Sequence, residues 1–191
     1  MKEFKGKVAV ITGGASGLGL EIARLAATKG MKLVLSDIEE RALKAAELEF
    51  AGQGIEVLAV RTNVAIAEDV ELLAEKTMTR FGAVHLLFNN AGVALNKTAW
   101  ETTIADWEWV LGVDLWGVIH GIRVFTPIML KQDAPSHIIN TASVAGMLST
   151  QGMAAYNVAK HGVVTLSETL YHDLKRREAN IDVSVLCPAW V

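Results

Sequence analysis

Residues 7–27, KVAVITGGASGLGLEIARLAA, decide the fold. An apolar, β-branched run (7–12) passes directly into a glycine-rich turn, and the turn opens a helix. Gly13, Gly17 and Gly19 allow a tight turn and a close backbone approach to a pyrophosphate at the helix N-terminus. Glycine-rich turns are common, so the loop alone says little. Here it joins a strand to a helix, and an acidic residue, Asp37, ends the next apolar run in LVLSDIE. That combination points to a bound dinucleotide. No Lys-Ser/Thr follows the glycines, so this is not a P-loop.

Outward from this unit, short apolar runs alternate with helical stretches. Strands are expected at 7–12, 32–36, 55–61, 84–89, 136–141 and 181–187, with helices near 17–29, 39–51, 67–80, 105–130 and 153–178. The runs are nearly continuous in apolar residues, as in strands covered on both faces. Thr103, with Asp106 three residues on, marks the start of the fourth helix. Such alternation implies right-handed crossovers and an α/β fold: a doubly wound parallel β-sheet, strand order 3-2-1-4-5-6, with ligands beyond the carboxyl ends of the strands.

The Asp37 carboxylate is suited to accept hydrogen bonds from an adenosine ribose hydroxyl. A 2′-phosphate there would meet like charge, on the order of 4 kcal/mol per pair of unit charges at 4 Å and an effective dielectric of 20. No Lys or Arg stands at 14–16 or 38 to offset it. NAD(H) is therefore expected over NADP(H). Asp37 is also suited to cap the following helix, a role compatible with the first.

With 191 residues, half of them hydrophobic, the chain has enough for a sizeable core in one domain. A net charge of −3 leaves no basic stripe for nucleic acid. No uninterrupted apolar run reaches about 18 residues, the length of a membrane span. The lone Cys187 forms no intrachain disulfide, suits a reducing compartment and makes the cytoplasm the expected location. Five scattered histidines suggest no metal site. The apolar positions between 105 and 130, among them Trp107, Trp109, Val113, Leu115 and Trp116, exceed one buried stripe; crowded core packing or a subunit contact explains them equally.

The chain has two tyrosines, each with a lysine four residues on: Tyr156 with Lys160 and Tyr171 with Lys175. Spacing alone does not choose between them. The ordered set TGGASGLG, NNAG at 89–92, Ser143 thirteen residues before Tyr156, Lys160, and PAWV at 188–191 resembles the short-chain dehydrogenase/reductase (SDR) family over essentially the whole chain. Tyr156 falls at the start of its helix, just past the fifth strand. Tyr171, fifteen residues on, lies roughly 22 Å further along that helix, out of reach of the same site. Tyr156 and Lys160 are thus the expected reactive pair.

The resemblance implies an NAD-dependent oxidoreductase acting on a secondary alcohol or ketone, and homodimers or homotetramers. It implies Tyr156 as general acid/base, Lys160 lowering the phenol pKa and holding the nicotinamide ribose, and Ser143 binding the substrate oxygen. Alone, Ser143 in TASVAG reads as turn chemistry. The implied cofactor set is Gly13, Ser16, Gly17, Leu18, Gly19, Asp37, Ile38, Asn63, Val64, Asn90, Ala91, Gly92, Thr141, Tyr156, Lys160, Pro188, Ala189 and Val191. Substrate-pocket positions are expected at Ala94, Leu95, Val144, Gly146, Gln151 and Met153.

The sequence departs from the family pattern. Asp114 replaces the usual asparagine, whose backbone carbonyl holds a relay water; an added negative charge near Lys160 and Tyr156 would oppose the phenolate and raise the working pH or slow turnover. Ala189 replaces a glycine, which would restrict the turn beside the nicotinamide, while His85 and Asn63 replace aspartates, where little effect is expected. The sequence stops at Val191, before the family's substrate-covering segment and seventh strand, leaving an apolar sixth strand as an edge. Two other readings stand beside the oxidoreductase: a non-catalytic dinucleotide-binding module, favoured by Asp114 and the ending, and an extended-type nucleotide-sugar epimerase or dehydratase, disfavoured by the glycine spacing.

Overall fold

The computed structural model describes residues 3–189, so Val191 lies outside the described residues. Six parallel strands, β1 (Val8–Thr12), β2 (Lys32–Asp37), β3 (Val57–Arg61), β4 (Leu86–Asn89), β5 (Ser136–Thr141) and β6 (Ile181–Leu186), form one sheet in the order β3-β2-β1-β4-β5-β6. The helices are α1 (Gly17–Thr28), α2 (Glu40–Gly52), α3 (Ala67–Phe81), α4 (Ile104–Leu111), α5 (Gly117–Gln132) and α6 (Ala154–Arg176). A π-helical turn, Gly112–Trp116, joins α4 to α5. The expected doubly wound sheet is present.

The period-2 geometry of a strand sorts its residues between two apolar layers. Ala9 and Ile11 of β1 pack with Leu33 and Leu35 of β2 against Ala23 of α1 and Leu43 and Phe50 of α2. Val8 and Val10 of the same strand, with Val34 and Val60, pack against Leu73 of α3, Phe125 and Met129 of α5, and Leu170 and Leu174 of α6. β1, β2 and β4 are buried along their length apart from the ends of β2, as expected of strands covered on both faces. β6 departs from that expectation. It lies at the sheet edge and alternates, with Ile181 buried while Asp182, Ser184 and Leu186 are exposed.

A chain of polar side chains runs from the sheet to α6, although Ser36 Oγ of β2 and Asn89 Oδ1 of β4 are buried without a partner. Asn89 of β4 donates to Asn140 Oδ1 of β5 (2.8 Å), Asn140 donates to Ser167 Oγ of α6 (2.9 Å), and Ser167 donates to the Val163 carbonyl (2.7 Å). All three side chains are buried. His85 has more weight than expected. Its Nδ1 accepts from the Val8 backbone N–H at 3.1 Å, tying the entrance of β4 to β1, and burial lowers its pKa, with Lys7 adding to the effect.

The stretch Ile104–Gln132 bears on the membrane expectation. Its residues are not an unbroken apolar run, yet by length and composition the helix is long and apolar enough to cross a membrane. Here it is a packed element of the fold, with Val110, Val118, Phe125 and Met129 buried.

Candidate active site

The carboxyl ends of the strands open into a cleft of about 680 Å³. Its floor is the turn after β1. Gly17 holds φ at +48°, and a Cβ on Gly19 would fall 2.0 Å from the Gly13 carbonyl oxygen. Only glycine fits at 19. The turn is fastened to the loop after β4: Thr12 Oγ1 accepts from the backbone N–H groups of Asn90 (2.9 Å) and Ala91 (3.1 Å), and the Asn90 amide donates back to the Thr12 carbonyl (3.1 Å). Asn90 is thus a fastener of the cleft as well as part of its lining.

At one end of the cleft, Asp37 accepts from the backbone N–H of Ala15 through Oδ2 and from that of Glu39 through Oδ1, both at 3.1 Å. The carboxylate therefore braces the glycine turn and the bend before α2 while facing the cleft; the N-cap of α2 is Glu39, not Asp37 as expected. Arg61, its register partner on β3, is a cation the sequence did not flag. Asn63 Oδ1 accepts from Ala65 N–H (3.1 Å), and its own N–H donates to Asp69 (2.8 Å), so the side chain shapes a turn as it lines the cleft.

At the other end stand Ser143, Tyr156 and Lys160. Lys160 is buried, lies 5.4 Å from the Tyr156 ring centroid and donates to the Thr141 carbonyl at 3.1 Å. Tyr171 and Lys175 have nearly the same mutual geometry, 5.6 Å, but Tyr171 is 43% exposed and outside the cleft. Location separates the pairs, not spacing. Ser143 Oγ accepts from Ala145 N–H at 3.1 Å, so it makes the turn bond and also faces the cleft.

Asp114, on the π-helical turn, is fully buried. Its Oδ1 accepts from Val93 N–H at 2.7 Å, and its Oδ2 faces Lys160 Nζ at 3.1 Å, an ion pair without the alignment of a hydrogen bond. Burial raises the Asp114 pKa, opposed by the charge of Lys160 and the Val93 bond. The side chain itself meets the lysine, a directness the sequence did not reveal.

Every expected site residue within the described region lines this cleft. The substrate-pocket expectation fares differently: of its six residues, only Ala94 does. Leu95 is packed beside Val110 and Tyr156, Val144 opens a short 3₁₀ turn, and Gln151 is exposed. Met153 bridges Lys97, and Gly146 is pressed against the Lys160 carbonyl, where a Cβ would lie 2.6 Å away. Conversely, Thr62, Val93, Trp109 and Val113 line the cleft without having been expected there.

The family model described as short chain dehydrogenase matches residues 7–191. The chain belongs to this family. Among solved structures, a short-chain dehydrogenase/reductase from Burkholderia phymatum, crystallised with NAD, superposes with a TM-score of 0.99 at 52% identity, covering 100% of this chain and 68% of its own. Curated relatives include the CLA biosynthesis dehydrogenase/reductase of Lactiplantibacillus plantarum, 41% identical over 100% of this chain and 67% of its own length. Cyclohexanol dehydrogenase of an Acinetobacter species is 35% identical over 99% and 74%. The chain thus spans about two thirds to three quarters of the length of these relatives.

Proposed function

We propose that this chain binds NAD(H) and interconverts a secondary alcohol and a ketone, with Tyr156 moving the proton. One observation carries the reading: a single cleft holds the Gly13–Gly19 turn and Asp37 at one end and Ser143, Tyr156 and Lys160 at the other. The residues fit a dinucleotide. The turn is wound so tightly that Gly19 has no room for a Cβ against the Gly13 carbonyl, backbone N–H groups start α1, and Asp37 offers acceptors to a ribose. Gly13, Ser16, Gly17, Leu18 and Gly19 would hold the pyrophosphate; Asp37, Ile38, Asn63 and Val64 the adenosine; and Asn90, Ala91, Gly92, Thr141, Lys160, Pro188 and Ala189 the nicotinamide half. Bound there, the dinucleotide supplies the hydride acceptor or donor.

The chain's own groups handle the proton. In oxidation the Tyr156 oxygen takes the proton of the substrate hydroxyl; in reduction it returns one to the carbonyl oxygen. Lys160 supplies the positive charge that favours the phenolate, and Ser143 Oγ donates to the substrate oxygen. A cyclohexanol dehydrogenase among the relatives supports a secondary alcohol, and the lone cysteine supports work in the cytoplasm. The exposed Trp116 and Ile104 support assembly as a homo-oligomer.

The test is oxidation of a panel of secondary alcohols with NAD, repeated with Tyr156→Phe. The variant is expected to keep NADH affinity and to lose at least about 100-fold in kcat; normal turnover would remove the assignment. The buried Asp114–Lys160 pair favours a second reading, a dinucleotide-binding module without turnover. NADH binding with no oxidation across the panel would establish that one instead.

A further inference from the structure

We propose that Trp109 is a cofactor-binding residue that closes the adenine end of the cleft. The inference rests on the dinucleotide reading above. With a ribose at Asp37, the attached base lies toward Thr62–Val64, the turn leaving β3. The opposite wall of the cleft there is built from Val113 and, one helical turn earlier, Trp109.

Two glycines bring that wall in close. A Cβ on Gly112 would sit 3.3 Å from the Ala65 Cβ, and one on Gly117 would sit 2.8 Å from Val64 Cγ2. The helical stretch therefore presses on the turn after β3 almost backbone to side chain, and its 109–113 edge is held over the adjoining space. Trp109 lines the cleft yet keeps 47% of its surface exposed, while its neighbours Trp107, Val110 and Leu111 are taken into an apolar cluster with Ala155 and Ala159. A planar indole left open beside the position of a purine gives that base a surface on which to stack. Its exposed apolar area is then covered by ligand rather than by protein.

The experiment is calorimetric titration of the full chain, as wild type, Trp109→Ala and Trp109→Phe, with NADH and with ADP-ribose, alongside melting temperature and oligomeric state. ADP-ribose carries the adenine without the nicotinamide. Trp109→Ala is expected to weaken both ligands by the same factor, about 5- to 100-fold, with unchanged melting temperature and assembly, and Trp109→Phe to recover most of the loss. Affinities of Trp109→Ala within about twofold of wild type would overturn the proposal and leave the cofactor reading standing. So would a dissociated or unfolded variant whose binding loss Trp109→Phe does not recover, since the indole would then serve assembly or packing. Wild-type protein that binds neither ligand would remove the cofactor reading and this inference together.

Discussion

Asp114 and Lys160 are both closed off from water, and their side chains meet at 3.1 Å. Removing one member of such a pair strands the other charge, so Asp114→Ala is a poor probe. Asn keeps the shape and an acceptor for Val93 N–H. Burial holds the Asp114 pKa above its ordinary value, so the carboxylate forms only as pH rises through that elevated pKa. Each carboxylate formed there sets a negative charge against phenolate formation at Tyr156. Asp114→Asn is therefore expected to move the pH–rate profile of oxidation to lower pH and to raise the rate at neutral pH. An unmoved profile would rule this out. The sequence announced the unusual charge, because residue identity is all that statement needs. It was silent on the carboxylate meeting Lys160 directly, which depends on how the π-helical turn aims the side chain.

At the scale of the element, α4 starts with a reciprocal cap: Asp106 N–H donates to Thr103 Oγ1 (3.2 Å), and Thr103 N–H donates to Asp106 Oδ2 (2.9 Å). Lys97 donates to the same carboxylate at 2.6 Å, and together Lys97 and Thr103 bring its pKa down to about 2. A depressed acid contributes stability above its unfolded pKa, ordinarily 3.8 here, and that contribution is lost as pH falls through about 2. Melting temperature measured from pH 6 down to pH 2 should thus fall more steeply for wild type than for Asp106→Asn, the two curves converging at the acid end; parallel curves would refute the cap's role. Thr103→Ala is expected to cost about 1 kcal/mol at neutral pH, read from denaturant unfolding. This cap was legible because it is written in four adjacent residues. The π-helical turn was not: Val110, Val113, Leu115 and Val118 look equally apolar with or without a shifted phase. For the same reason Trp109 and Val113 read as core or subunit surface, since periodicity identifies a face without saying what stands opposite it.

Across the whole molecule, the strand order and the cleft at the carboxyl ends followed from alternation and from the first glycine turn, which are chain-wide patterns. The substrate side did not follow, because Leu95, Gly146 and Met153 are placed by contacts between distant loops. Ligand linkage tests the cofactor end at this scale. A ligand bound only by the folded state at 100 times its Kd adds about 2.7 kcal/mol of stability. NADH is expected to raise the melting temperature more than equimolar NADPH, and Asp37→Ala to narrow the gap by weakening NADH; equal shifts in wild type would refute the preference. The buried Asn89–Asn140–Ser167 chain has its own consequence for α6, the helix that carries Tyr156 and Lys160. Sliding that helix would strand the Asn140 amide in the dry interior without its acceptor on Ser167, since the other bonds of the chain lie within the sheet or within α6 itself. That one contact acts as a detent, favouring a single notch for the helix and for the reactive pair it carries.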